Sequence, residues 1–511
     1  SVREGRTTII PARFEKVYAH WMENIRDWAV GRQLWWGHRI PAWFCPDEHI
    51  TVSDELDGPA ACTTCGRPAT ELRQESDIFD TWFSSGLWPF STLGWPDDTP
   101  DLRRFYPTSV METGYDILFF WVARMMMLGL FLTDVEPFHT VYLHGLVRAE
   151  GGVKMSKTKG NVTDPVELIE EIGADAVRHA LTTGTTPGLD QRLTMAKLER
   201  SRNFTNKLWN ATRFVLGSEP PAGDGDGDGS APPGHGVTGE PGTLPERWIR
   251  SRLAAAIEDA TRRLDRLDLG GYAGAVMDFA WGDLCDWYLE MAKVEMRDPD
   301  LGPEVALRSW RAARDVLADT MRLLHPVMPF VTEEIWAALA ATREMAVMHA
   351  HLPPNRMLLI GAPWPKAGVR DRDAETEFEA LAELIRAARN LRTEANVPAG
   401  TTVTLHLVPA GPTAADAIAA GRRYLEPLAK VRAEAHPPGT SVPERDTAAT
   451  ALGAIWLDPE ATATSAAGPA GTRCRVTVVP AGTLASVRRL RAARMSSASA
   501  SNSVSASRSR S

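Results

Sequence analysis

Near residue 190 the chain changes character, and that change limits its architecture more than any other feature. Before it, short apolar runs with strand character alternate with helical segments, the pattern of an α/β domain. After it, residues 194–216, 246–268, 272–296, 303–324, 327–342 and 375–394 all carry amphipathic helical spacing, so an all-α helical bundle follows. The first part reads as a strand at 7–10, then a helix over 13–28 with Phe14, Val17, Trp21, Ile25 and Trp28 along one face. Strand and turn at 34–44 lead into a small polar excursion at 45–75. Residues 76–96 are rich in Trp, Phe and Ser and show few helix signals. A buried helix at 115–131 precedes a buried strand at 138–147. Asp164-Pro165 opens a helix that Gly173 closes, and another begins at Asp175. The domain boundaries expected are 1–190, 191–400 and 401–511.

Composition removes some alternatives. The longest apolar region, 117–132, carries Arg124 and reads as a core helix rather than a membrane span. Five cysteines, three of them close together, are no disulfide framework, so a reducing cytoplasmic setting is expected. The net charge of -9 does not advertise nucleic-acid binding, but binding depends on where Arg and Lys cluster. Residues 217–245 are dominated by Gly, Pro and Asp and are expected to be a disordered insertion. Beyond 400 the signal fades to a poorly defined region, with a strand at 401–408 and a strand pair near 454–480. It ends in a Ser/Arg-rich tail that reads as disordered, or as a basic arm that touches RNA phosphates.

Four groups of residues could carry chemistry. Lys154 and Lys157 lie between Gly151-Gly152 and Gly160, so two ammonium groups and the Ser156 hydroxyl could close over a polyphosphate. Taken alone, such a loop is more often a solvated turn. Cys45, His49, Cys62 and Cys65 supply three thiols and an imidazole, enough for a tetrahedral zinc site; a loop without metal is the rival reading. Ile117 and Trp121 are four apart on one helix, and Trp82 could close over them to form a small cavity for a branched side chain. By spacing alone, ordinary core is the more common explanation of all three. Arg386, Arg389 and Arg392 recur every three residues as a basic helical stripe, suited to phosphate contact or simply to solvent.

The string KMSKTKGNVTDP (154–165) resembles the KMSKS signature of the class I aminoacyl-tRNA synthetases, with Thr158 in place of the last Ser. GRQLWWGHRIPAWF (31–44), DIFDTWFSSGLWPFSTLGWP (77–96), METGYDILFFWVARMMMLG (111–129), NFTNKLWN (203–210), DWYLE (286–290), HPVMPFVTEEIW (325–336) and RNLRTEANVP (389–398) resemble the valine-specific branch more than its isoleucine or leucine relatives. The resemblance covers roughly residues 3 to 400. It implies the second half of a Rossmann-type catalytic domain followed by an anticodon-binding helical bundle. The activity implied is ATP-dependent, Mg2+-assisted activation of valine and its transfer to tRNA(Val). In that frame Lys154, Ser156 and Lys157 bind ATP, Asn161 and Asp164 support the loop, and His144-Gly145 lies near the nucleotide. Glu112 or Asp116 contacts ribose or orients substrate, and Trp82, Ile117 and Trp121 line the valine pocket. His38 falls in a matching motif without a role.

The family's HIGH signature and editing domain have no counterpart in these residues, so the resemblance predicts a monomeric fragment that needs a missing N-terminal half. The isolated chain is expected not to make valyl-adenylate. Two rival readings stand beside this: a catalytically inactive tRNA-binding remnant, and an isoleucine- or leucine-type ligase.

Overall fold

A computed structural model describes residues 1–148, 152, 164–220, 242–342, 358–443 and 447–458. Its first unit begins with β1 (Thr8–Ile10) and α1 (Arg13–Glu23). Short strands β2 (Gly31–Arg32), β3 (Ala42–Phe44), β4 (Ile50–Val52), β5 (Arg73–Gln74) and β6 (Ile78–Phe79) form two small antiparallel sheets, β4–β3–β5 and β2–β6. Then come α2 (Thr81–Ser91), α3 (Pro100–Phe105), β7 (Thr108–Gly114), α4 (Ala123–Thr133), β8 (Phe138–His144) and β9 (Val147–Arg148). After residue 163 follow α5 (Pro165–Ile172), α6 (Ala174–Thr182) and β10 (Gln191–Arg192). The central sheet has the order β1–β8–β7, with both pairings parallel. Parallel strands need a crossover, and α4 supplies it between β7 and β8. Ile9, Met111, Val141 and Leu143 from the sheet pack with Leu118, Val122, Met125 and Met126 from the crossover.

Three local details differ from the sequence reading. The first helix ends at Glu23 rather than 28, because Trp28 leaves the helical path and its indole donates to Asp80 at 2.9 Å. Residues 81–91 are a helix, not an irregular segment. Asp80 caps it by accepting from the Trp82 amide at 3.3 Å, and Gly86 sits so close to α4 that a Cβ there would lie 2.6 Å from Leu128. The crossover is also not one uniform helix. A 3-10 turn (Tyr115–Ile117) passes into a π turn (Leu118–Val122) before α4 begins. By length and apolarity, Tyr115–Thr133 could cross a membrane, yet Leu118, Val122, Ala123, Met125 and Met126 are buried in this core.

The second unit holds α7 (Met195–Gly217), α8 (Leu244–Asp265), α9 (Leu269–Asp278), a π segment (Phe279–Tyr288), α10 (Leu289–Arg297), α11 (Gly302–Leu324), α12 (Pro329–Ala340) and α13 (Arg372–Glu394). Thr194, Thr243, Asp268 and Asp371 cap α7, α8, α9 and α13 with side-chain oxygens, which explains the sharp starts. Two of the quoted motifs meet here. Lys207 pairs with Asp286 and lies 4.3 Å over the Trp281 ring.

The region beyond 400, read as poorly defined, is ordered over most of 403–458. There β11 (Val403–Pro409), α14 (Pro412–Ala429), β12 (Val431–Ala435), β13 (Thr447–Thr450) and β14 (Gly453–Leu457) form the sheet β12–β11–β14–β13 with α14 against it. Leu405, Leu407, Ile418, Leu425, Ile455 and Leu457 join one continuous core with the helices. The fully buried Glu295 of α10 ties the two together. It accepts from Ser309 of α11 at 2.5 Å and from Tyr424 of α14 at 2.6 Å. Most of the expected insertion (221–241) and the Ser/Arg-rich tail from 459 lie outside the described residues.

The first and second units meet at α6. The buried Asp175 carboxylate accepts from the amides of Phe330 (3.2 Å) and Val331 (2.5 Å) in the first turn of α12. Arg178 donates to the Val327 carbonyl at 3.0 Å.

Candidate functional site

In an open parallel sheet, ligand sites form beyond the carboxyl ends of the strands, where loops diverge. Here β7 ends at Gly114 and β8 at His144, opposite one another in register. Glu112 and His144 are both exposed at this edge, with the His144 Nε2 3.3 Å from a Glu112 carboxylate oxygen. The other ring nitrogen, Nδ1, faces the Gly145 carbonyl at 2.7 Å. Both ring nitrogens thus face oxygen atoms. Asp116 joins them, since a Cβ on Gly114 would lie 2.8 Å from its Oδ1 and 3.5 Å from His144 Cε1. The edge therefore presents two carboxylates and an imidazole to solvent.

Packing within the chain requires glycine at Gly145. A Cβ there would lie 1.8 Å from the Leu189 carbonyl oxygen, so the returning backbone leaves no room for a side chain. That return is built by residues the sequence did not single out. Asp190 accepts from the Leu146 amide at 2.8 Å and pairs with Arg148. Beside it, β9 and β10 run parallel, Val147 against Gln191 and Arg148 against Arg192. The chain entering the KMSKT stretch is thus anchored to residues 44 positions later. Lys154, Ser156, Lys157 and Asn161 themselves lie outside the described residues. At the far end Asp164 caps α5, accepting from the Val166 amide at 2.8 Å.

Trp82, Ile117 and Trp121 are all half-buried. Trp82 stacks on Phe120 at 6.1 Å, while Trp121 leans on the sheet core. Beneath Trp82 lies a network that sequence reasoning missed. The buried Asp80 accepts from Trp28 and, at 2.6 Å, from Arg32, and faces Arg124 at 3.5 Å. Arg124 lies 3.4 Å over the Trp28 ring. Burial opposes ionisation of Asp80, but hydrogen bonds from Trp28 and the Trp82 amide, with the charges of Arg32 and Arg124, hold its carboxyl below the usual range. An Arg inside an otherwise apolar helix was the available signal. His38 donates to or accepts from Ser84 at 2.7 Å and so braces α2.

Cys45, His49, Cys62 and Cys65 converge, one ligand atom from each lying within 4.8 Å of all the others. Cys45 Sγ is 3.5 Å from His49 Nδ1 and 3.8 Å from Cys65 Sγ. Two tight turns bring this about, closed by Glu48 N to Cys45 O (2.9 Å) and Gly66 N to Cys62 O (2.9 Å). The Cys65 amide holds the Cys62 thiol down to about 6, toward the thiolate a metal takes. The longer Cys45-x-x-x-His49 spacing therefore still closes a soft, tetrahedral-type donor set that fits zinc.

The arginine stripe is corrected at one position. Arg386 and Arg389 both approach Trp287, at 5.3 and 5.7 Å from its ring, and both are exposed. Arg392 is buried, donating to the carbonyls of Thr401 (2.7 Å), Lys430 (2.8 Å) and Pro398 (3.1 Å). Each step of three residues falls about 60° short of a full turn, so two steps carry the third arginine about 120° around the helix and into the core.

Residues 1–194 match the family of tRNA synthetases class I (I, L, M and V), and residues 246–407 match the anticodon-binding domain of tRNA ligase. The chain is 48% identical over 401 residues to a valine–tRNA ligase of Dehalococcoides mccartyi, covering 78% of this chain and 42% of that protein. It is 43% identical to a valine–tRNA ligase of Symbiobacterium thermophilum, over 89% of this chain and 49% of that one. With a valine–tRNA ligase of Thermus thermophilus it shares 44% identity, over 80% and 44% respectively. The chain thus spans less than half the length of these curated relatives.

Proposed function

We propose that the chain belongs to the class I tRNA synthetases and forms the part of a valine–tRNA ligase that carries the KMSKT loop and the anticodon-binding bundle. The observation carrying this reading is the 43–49% identity to valine–tRNA ligases, sustained over 78–89% of this chain. The reaction is attack of the valine carboxylate on the α-phosphate of ATP, release of pyrophosphate, and transfer of the valyl group to tRNA(Val). Lys154 and Lys157, with Ser156, neutralise charge that develops on the phosphates, and Mg2+ accompanies the nucleotide. Asn161 and Asp164 hold the loop to α5. Glu112, Asp116 and His144 at the strand edge orient substrate and nucleotide; Trp82, Ile117 and Trp121 form the wall against the isopropyl group. Arg386 and Arg389 contact tRNA phosphate, and the Cys45–His49–Cys62–Cys65 knuckle holds a structural zinc. The setting is the cytoplasm.

Valine-dependent pyrophosphate exchange tests the proposal, measured for the chain alone and joined to the segment of a relative that it does not span. Exchange is expected only in the joined form, with valine preferred over isoleucine and leucine. A joined form that binds tRNA yet never exchanges pyrophosphate favours a non-catalytic tRNA-binding protein. A joined form that prefers isoleucine or leucine overturns the amino-acid assignment.

A further inference from the structure

A second metal-type cluster lies far along the chain from the cysteine knuckle, in the sheet that follows the helices. His406 is central in β11. Its register partners are Glu434 on β12 and Trp456 on β14, so the three stand in one row across the sheet. His436 lies one residue past β12, and its amide donates to the Leu407 carbonyl at 2.7 Å, so strand pairing continues to it. His406 Nδ1 is 2.9 Å from His436 Nε2 and 3.7 Å from a Glu434 carboxylate oxygen. One ligand atom from each of the three lies within 4.8 Å of the others.

We propose that His406, Glu434 and His436 form a binding site for a divalent transition-metal ion of the zinc type. Tetrahedral zinc with bonds of about 2.0–2.2 Å sets its ligand atoms about 3.3–3.6 Å apart. The observed separations of 2.9 and 3.7 Å straddle that spacing, so small rotations of the side chains reach it. The rings are already fixed in place. Trp456, only 8% exposed, stacks on His406 (5.1 Å, 23°) and on His436 (5.4 Å, 20°), so little ordering is left for binding to impose. The mouth is open, because the Glu434 side chain is 52% exposed and His406 17%. Two imidazoles and one carboxylate favour zinc, nickel or copper over magnesium or calcium. Without metal, two neutral imidazoles at this distance share a single N–H, and one of the two facing nitrogens has only a lone pair to offer. A bound ion uses both facing lone pairs and the carboxylate at once. The fourth position stays open to water, and the ion clamps β11 to the end of β12.

The test uses the whole chain, stripped with a chelator and then titrated with ZnCl2 alone. Bound zinc per chain is counted for wild type and for the H406Q/H436Q double variant. The expected result is one fewer zinc bound by the variant, whatever the cysteine knuckle holds, and weaker binding at that site in Glu434→Gln. Equal zinc counts and equal affinities in wild type and variant overturn the proposal. A second measurement needs no variant: zinc should shield His406 and His436 of the wild-type protein from carbethoxylation by diethyl pyrocarbonate, read by mass spectrometry. Unchanged labelling of both residues also overturns it.

Discussion

Among the described residues, the most exposed tryptophans lie in the sheet unit and the most buried in the helical unit. In the sheet unit Trp35 and Trp36 are 98% and 90% exposed beside the exposed Leu34. In the helical unit Trp248, Trp310 and Trp336 are buried, and one core runs from α7 to β14. Two polar groupings show the difference. Glu295, Ser309 and Tyr424 satisfy one another inside the helical unit, whereas Glu112 and His144 stand in solvent at a strand edge. The contrast separates two roles: the helical unit holds itself together, and the sheet unit presents groups to something else. Substitutions in the first should register as stability, and in the second as chemistry.

The sharpest way to break that contrast is Lys157→Ala in the joined enzyme of the exchange assay. Valine-dependent exchange should fall about 100–1000-fold while the thermal midpoint is unchanged, the size seen for removal of one group that stabilises transition-state charge. A fall in stability of the same variant would dissolve the distinction. Glu295→Ala should do the reverse. It strands two buried hydroxyls and removes the tie between α10 and α14, at roughly 2–4 kcal/mol in denaturant unfolding.

The seam between the units supplies a test through pH. Burial lowers the His179 pKa to about 4, and its ring is held by Ser201 (2.9 Å) and Thr183 (3.1 Å). The folded state keeps this imidazole neutral while the unfolded chain protonates it below about 6.5. Its contribution is therefore intact above 6.5 and lost as pH falls toward 4, by up to roughly 3 kcal/mol. Thermal unfolding across that window should show a declining limb that is flatter in His179→Gln; equal limbs would remove His179 as the cause. The smallest contrast lies within one helix. Arg392→Ala should cost about 2 kcal/mol through three abandoned carbonyls. Arg386→Ala should stay within about 0.5 kcal/mol in unfolding and weaken tRNA binding instead, as a filter-binding titration would show.

What the sequence made legible follows from how local each signal is. The helices of the second unit announce themselves through unbroken apolar spacing, and the structure places them within a few residues of the expected spans. The Cys45–Cys65 cluster was equally readable, because its ligands sit within 21 residues of chain. Helix α2 escaped notice because Gly86 and Pro89 mask it, although Asp80 offers a cap. The sheet beyond 400 was faint because Ala and Thr dilute its pattern; its burial comes from helices more distant in sequence. The role of Gly145 was out of reach altogether, since it depends on Leu189 passing against it.

Asp175 gives the molecule a mechanical linkage. Its carboxylate occupies two amides that α12 cannot satisfy within its own first turn. If α12 tilts, it must either carry α6 along or abandon a charge-assisted pair of hydrogen bonds. Since α6 follows α5 directly, a movement of α12 is passed to these two helices through Asp175 and Arg178. A rotation of the bundle is therefore also a displacement of α6 and α5.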